Sequence, residues 1–344
     1  MPKKRRLKPP KIQPTTMKFD TISFGSAVLD VFLASPEIKV IQSSEFFTNK
    51  AIAVPYGTKT EIERLEICSG GGGTNTAVGL ARLGLKAAVV ARSGWDFAGK
   101  IIRQEIKKEG VDDRFLIQVE GEETDYSTVL VAPDGGRTIL VYRGGTRLEK
   151  AMLNFKELNA FWFYLSSLEG NLDLIEALTL HAKKNHIKIA VNPGKKELAQ
   201  KKKLLKMAQD FEVLIVNREE AAQLLGLTIV DEKVFDQIGL ALPKTMVVVT
   251  EGDEGAQVCV SQKGKLIIDG FKMKMVDATG AGDGFGSGLI AGLAKGWPLE
   301  KALRLGVSNG AAAVTQFGAK AGLIKTKEID FWLSKKLAYH WEKQ

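Results

Sequence analysis

The feature that most constrains this chain is a regular alternation that begins near residue 160. Apolar runs at 161–166, 187–191, 213–216 and 246–250 are each followed by a segment of helical periodicity, at 171–185, 197–208, 218–225 and 231–239. Strands buried on both faces, with crossover helices between them, imply an α/β fold with a mainly parallel sheet covered by helices on both sides. Helices are also expected at 281–295 and 299–315, and a terminal helix from about 326. Upstream, 19–33 reads as a buried strand ending at Gly25-Ser26, and a helix runs from Thr74 until Gly84 stops it. Lys86 to Ala91 is a strand, and Ala98 to Glu109 an amphipathic helix closed by Gly110. Two segments break this rhythm. Residues 34–67 are short, polar and turn-rich, and 115–145 alternate like strands around a turn at 133–136. They predict a small separate sheet, a lid, inserted into one α/β domain spanning 18–340.

Charge and composition narrow the partners. The chain carries +9, but residues 1–17 hold six basic residues, no acidic ones and four prolines, and removing them lowers the net charge to +3. The tail reads as disordered, and it is the one feature that could touch nucleic acid. Lysine-rich stretches elsewhere read as solvated helix faces, and the five tryptophans form no stacking platform. Apolar runs reach nowhere near the roughly 18 residues a membrane-spanning helix needs. Two cysteines, Cys68 and Cys259, cannot build a disulfide framework, and His181, His186 and His340 show no metal-ligand spacing. A cytoplasmic protein is expected.

In doubly wound sheets, ligands bind beyond the carboxyl ends of the strands. The string ValAspAlaThrGlyAlaGlyAspGlyPheGlySerGlyLeu (276–289) lies in such a place, with Asp277 and Asp283 flanking small residues that lead into an apolar helix. Small residues let backbone N–H groups reach an anion, and the helix start adds a favourable dipole. Asp283, in the first turn, stands where a base could take a proton from a hydroxyl attacking a phosphoryl group. An aspartate at a helix start is also an ordinary cap, and the later glycines could serve packing alone. A second cluster, SerGlyGlyGlyGlyThrAsnThrAla (69–77), has neither Walker A spacing nor a complete GxGxxG.

Together, in this order, the two strings resemble the two signatures of the ribokinase-like carbohydrate kinases, the PfkB family. Ala278 departs from the usual Thr of the second signature. The resemblance runs through most of residues 18–325 and implies a three-layer α/β/α sandwich with a small β lid. It makes Asp283 the base and Gly280, Ala281 and Gly282 the anion hole. It assigns Gly70, Gly71 and Asn75 to sugar hydroxyls, with Asp30 accepting from two of them and Glu169 as a further contact. AsnArgGluGlu (217–220) is similar to the element that organises magnesium and phosphate, giving Asn217 and Glu220, and Thr250 and Gly252 fall in a nucleotide-binding turn. A monovalent cation, usually potassium, is implied near Asp277, Thr279 and Gly318.

The activity so implied is ATP-dependent, magnesium-assisted phosphorylation of a primary hydroxyl of a sugar such as ribose or fructose. Ketodeoxy acids and nucleosides such as adenosine are also used across the family. Gly72 stands where ribokinases have Lys, which counts against ribose and makes a nucleoside the alternative acceptor. Two readings from other classes are a non-catalytic sugar-binding regulator, opposed by the intact Asp283 and anion hole, and a nucleic-acid binder, supported only by the tail. Lid segments in this family also pair between subunits, so the resemblance implies a homodimer through the lid.

Overall fold

The computed structural model describes residues 18–342 except 47, 135, 230–232, 261 and 262. The basic tail, Gly135 of the expected turn and the first two residues of the expected helix at 231–239 lie outside the described residues. The first part of the chain runs β1 (Phe19–Phe24), β2 (Val28–Ala34), β3 (Lys39–Gln42), β4 (Lys50–Ala53), β5 (Arg64–Gly70), α1 (Gly72–Arg82), β6 (Ala87–Gly94) and α2 (Phe97–Lys108). Then come β7 (Leu116–Val119), β8 (Asp125–Val131), β9 (Arg137–Tyr142), β10 (Ala160–Leu165), α3 (Leu172–Lys184) and β11 (Lys188–Val191). Next are α4 (Lys195–Leu198), α5 (Lys201–Ala208), β12 (Val213–Asn217), α6 (Arg218–Leu225), α7 (Val234–Ala241) and β13 (Met246–Thr250). The chain closes with β14 (Gly255–Val260), β15 (Gly264–Asp269), α8 (Ala281–Ala294), α9 (Leu299–Ala313), α10 (Ile329–Ser334) and β16 (Tyr339–Glu342).

Ten strands form the central sheet in the order β16-β15-β14-β13-β12-β11-β10-β1-β6-β7. From β13 to β7 every pairing is parallel, and β14, β15 and β16 add an antiparallel edge. The period of two splits each central strand between two cores. Phe163, Leu165, Leu214 and Val216 face a core shared with α3, α5, α6 and α7. Trp162, Tyr164, Val213 and Ile215 face the other, shared with α1, α8 and α9. The result is a three-layer α/β/α sandwich. On the second face, Gly288 and Gly292 of α8 lie against the Leu305–Gly306 backbone and Ala302 of α9, so a Cβ at either would strike α9. Part of the small-residue run after Asp283 is therefore packing.

A second sheet, β5-β2-β8-β9, and a hairpin, β3-β4, stand apart from the first. Here the structure differs from the sequence reading at several points. The run 19–33 is two strands in two sheets, because the chain turns at 25–27 between β1 and β2. Of the segment 115–145, β7 pairs with β6 in the central sheet, and only β8 and β9 join the second. The expected helix at 197–208 is broken into α4 and α5. The terminal helix ends at Ser334, and the chain then returns as β16 beside β15.

Candidate active site

The carboxyl ends of β1, β10, β12 and β13 open on one edge of the sheet, and Asn217 pairs in register with Thr250 there. Helix α8 starts at the same edge. Its N-cap is Gly280, at φ 77, and the Cβ of Ala319 lies 2.5 Å from where a Cβ of residue 280 would be. Only glycine meets both demands. The first helical hydrogen bond runs from the Gly284 N–H to the Gly280 carbonyl at 2.8 Å. The N–H groups of Gly282 and Asp283 therefore precede the ladder and have no partner among the described residues, so they are open to a ligand. A Cβ at Gly282 would meet no protein atom within 4 Å.

Asp283 is met from across the molecule by Asn75, whose Nδ2 donates to Asp283 Oδ2 at 2.8 Å. Asn75 is buried, 4% exposed, and its Oδ1 has no hydrogen-bond partner among the described residues. A buried acceptor left in this state calls for a donor, and a ligand hydroxyl supplies one. Burial raises the Asp283 pKa, while the Asn75 bond and the charge of Lys320 act against the rise. A raised carboxylate beside an unfilled acceptor suits a proton acceptor more than a cap.

The other residues expected from the sequence fall into three groups. Asp30 on β2 is buried at 7% exposure, and a Cβ on Gly70 would run into its carboxylate, which explains glycine there. Burial raises the Asp30 pKa, opposed by a hydrogen bond from Ser127. Gly71, at φ 91, caps α1, and its Cβ would strike the Ser26 carbonyl. Asp30, Gly70, Gly71, Asn75 and Asp283 thus converge where the second sheet meets α1 and α8. Glu169 lies in a neighbouring recess, bound at 2.6 Å by Lys196 and 3.7 Å from Arg143.

On the nucleotide side, Thr250 and Gly252 line a cavity of about 510 Å³ with Phe271, Met275, Ala281 and Gly282. An apolar slot that ends at a helix N-terminus fits a purine nucleotide with its phosphates toward α8. Asn217 and Glu220 bind each other instead: Asn217 Oδ1 accepts from the Glu220 N–H at 2.8 Å, and Glu220 Oε2 from the Asn217 N–H at 2.9 Å. This is a reciprocal helix cap. It leaves Glu220 Oε1 as the oxygen available to a magnesium ion.

The structure brings Asp277, Thr279 and Gly318 together, but not as a cation site. Asp277 Oδ1 accepts from the Thr279 N–H at 2.9 Å, the Thr279 hydroxyl at 2.7 Å and Arg137 Nη1 at 2.6 Å, and Oδ2 accepts from the Gly318 N–H at 3.0 Å. Donors surround a carboxylate that already holds a guanidinium, and this arrangement does not fit a potassium ion. The sequence reading missed Arg137, 140 positions from its partner. It also missed Lys320, which is buried and donates to the Ser69 carbonyl at 2.7 Å and lies 3.5 Å from Glu105. The one signal for Lys320 was a lysine inside an otherwise small and apolar run.

Residues 37–326 match the family described as pfkB family carbohydrate kinase. A ribokinase from Haemophilus influenzae is 31% identical over 292 residues, covering 80% of this chain and 92% of that protein. The fold is similar to adenosine kinase from Sinorhizobium meliloti, with a TM-score of 0.76 at 20% identity over 92% of this chain and 99% of that one. It is also similar to Arabidopsis thaliana ribokinase complexed with ribose and ATP, with a TM-score of 0.74 at 22% identity over 93% and 100%.

Proposed function

We propose that this chain, which belongs to the pfkB family of carbohydrate kinases, transfers the γ-phosphoryl group of ATP to a primary hydroxyl of a sugar, with Asp283 as the base. The acceptor oxygen forms the new P–O bond, the bond to the β-phosphate bridging oxygen breaks, the hydroxyl proton passes to Asp283 and ADP leaves. The observation that carries this reading is the meeting of Asn75 and Asp283 beside the free N–H groups of α8. It sets a base, an unfilled acceptor for a hydroxyl and an anion hole side by side. The N–H groups of Gly282 and Asp283 receive the phosphoryl oxygens beside Gly280, while the Ala281 N–H is held by the Ala278 carbonyl at 3.4 Å, and Asp30, Gly70 and Gly71 frame the rest of the acceptor. Magnesium, when bound, supplies charge neutralisation on the phosphates, and Glu220 would hold it.

A nucleoside acceptor is the second reading, favoured by Gly72 in place of the ribokinase Lys. The test is ADP release with a panel of sugars and nucleosides, with a phosphate ester identified in the product. A panel in which no acceptor gains phosphate would refute the kinase reading.

The second sheet acts in this proposal as a lid. Its strand β9 reaches the site through Arg137, whose ion pair with the buried Asp277 joins the second sheet to the loop before α8. Hydrogen exchange in 34–67 and 115–145 should slow together when the acceptor binds, and no response in either segment would refute the lid. Leu65, Ile67 and Leu140 are exposed on this sheet, and a homodimer through it would cover them. No helix among the described residues is long and apolar enough to cross a membrane. Two unpaired cysteines agree with a cytoplasmic setting.

A further inference from the structure

We propose that Tyr164 is a positioning residue for Asp283: its hydroxyl, across one water molecule, donates to Oδ1 of the carboxylate and keeps the base ionised and turned to the acceptor. The inference rests on the kinase reading and adds to it a residue that lies in neither string of small residues. Tyr164 belongs to β10 and faces the core shared with α1 and α8. Its side chain is wholly buried, at 0% exposure. Its hydroxyl nonetheless has no hydrogen-bond partner among the described residues. A phenylalanine would fill the same space without leaving a polar group unpaired, so the oxygen at this position calls for a use.

Its place supplies one. A Cβ on Gly286 would lie 2.0 Å from the Tyr164 hydroxyl oxygen and 2.8 Å from its Cζ, so the tip of the phenol rests on the backbone of α8. Gly286 follows Asp283 by three residues, and positions three apart are neighbours on a helix surface, with Cβ atoms about 5–6 Å from each other. The two oxygens of Asp283 have different surroundings. Oδ2 is held by Asn75 Nδ2 at 2.8 Å. Oδ1 accepts no hydrogen bond among the described residues, and it faces the end of β10: the Cβ position of Gly72 lies 3.5 Å from Oδ1 and 2.6 Å from the Ser166 hydroxyl. Ser166 stands two residues after Tyr164, but its hydroxyl is committed to the Phe24 carbonyl at 3.0 Å. That leaves the Tyr164 hydroxyl as a donor with nothing else to serve. It does not bond Oδ1 directly, and one water bridges such a span.

The electrostatics agree. Burial first, then the charges of Asp283 and Glu220, push the phenol pKa well above its ordinary value. Tyr164 therefore stays a neutral donor and is no second base. Asp283 is faced by Asn75 from α1 and by Lys320 from the segment after α9, and both oppose the rise in pKa that burial causes. A further donor to the ionised carboxylate works in the same direction. With Asn75 on one oxygen and Tyr164 behind the other, the carboxylate plane is held from both sides. The lone pair that takes the acceptor proton keeps its aim.

The test is Tyr164→Phe in the full chain, assayed with ATP and whichever acceptor of the sugar and nucleoside panel the wild type phosphorylates fastest, from about pH 5 to about pH 9. The ring volume is kept and the lost hydroxyl has no protein partner, so the melting temperature should hold. The expected result is a kcat lower by about 10-fold at the acid end, with the KM values for ATP and acceptor both within about twofold of the wild type. The deficit should shrink as pH rises, because an Asp283 that has lost a donor needs a higher pH to ionise. A fault of packing would instead lower kcat equally at every pH, and the melting temperature with it. Wild-type kcat across the range, a loss that does not vary with pH, or a loss confined to KM overturns the inference and leaves the kinase reading standing. A wild type that phosphorylates no acceptor of the panel overturns the kinase reading and this inference with it.

Discussion

Gly282→Ala separates the space a ligand needs from the space the protein needs. Gly282 is the second residue of α8, and a Cβ there would meet no protein atom within 4 Å. Alanine is intrinsically better than glycine inside a helix by up to about 1 kcal/mol. The variant should therefore melt no lower than the wild type. Its new methyl group nonetheless takes space from the cavity that Gly282 lines with Thr250 and Gly252. If a phosphoryl oxygen must come within hydrogen-bond distance of the Gly282 N–H, the methyl displaces it. Loss of one such donor typically costs about 10² to 10³ in kcat. Gly280→Ala is the contrasting control, because it strains a φ of 77 and brings a Cβ within 2.5 Å of the Ala319 Cβ. It should lose stability, by about 1–2 kcal/mol from the backbone alone. The assays are ADP release at saturating ATP and acceptor, and urea unfolding of both variants. Wild-type kcat in a fully folded Gly282→Ala protein would refute the anion-hole reasoning.

Further outcomes are expected at the same site. Asp283→Asn should bind ATP and keep its fold while losing about 10² to 10⁴ in turnover, since an amide takes no proton; near wild-type kcat would remove Asp283 as the base. Burial raises the folded-state pKa of Asp283, so the group's contribution to stability is full below its unfolded pKa and is lost as pH rises through the folded one. Asp283→Asn should accordingly unfold at a higher temperature than the wild type at pH 7.5, and the gain should vanish below the ordinary aspartate pKa of about 3.9. Asn75→Ala should raise the acceptor KM more than the ATP KM, by about 0.5–1.5 kcal/mol for one neutral hydrogen bond, and the reverse pattern would move Asn75 to the nucleotide side. Because Arg137 already occupies Asp277, replacing potassium by choline at constant ionic strength should leave kcat unchanged, and a dependence on potassium would show that this pair opens during turnover.

The central sheet was legible because its strands are continuous apolar runs, such as Phe161–Leu165 and Val213–Val216, separated by helical periodicity. The second sheet was legible only as an interruption. Val28–Ala34 is as apolar as Phe19–Phe24 and follows it after three residues, so nothing local marks the change of sheet. Tyr339–Glu342 is four residues long and mostly exposed, and its strand character comes from pairing with β15. At the site, Asn75 and Asp283 could each be found from its own string of small residues, but not their contact across 208 positions. The occupancy of Asp277 was hidden for the same reason. A carboxylate expected to hold a cation and one saturated by Arg137, Thr279 and Gly318 look identical until the second sheet is folded against α8.

The division of labour between the two sheets bears on how such a chain changes over generations. Asp30 rides on β2, Asp125 on β8, and Arg143 and Arg147 on the loop after β9, while Asp283 belongs to α8. A duplicated copy could acquire a new acceptor through substitutions confined to 125–147, with the phosphoryl machinery inherited intact. Position 137 is the exception, since Arg137 opens β9 yet closes on Asp277 beside that machinery. Drift in the hairpin should be free on either side of Arg137 and halted at it, and a transplanted hairpin from a relative should function only where it brings a compatible donor to that one place.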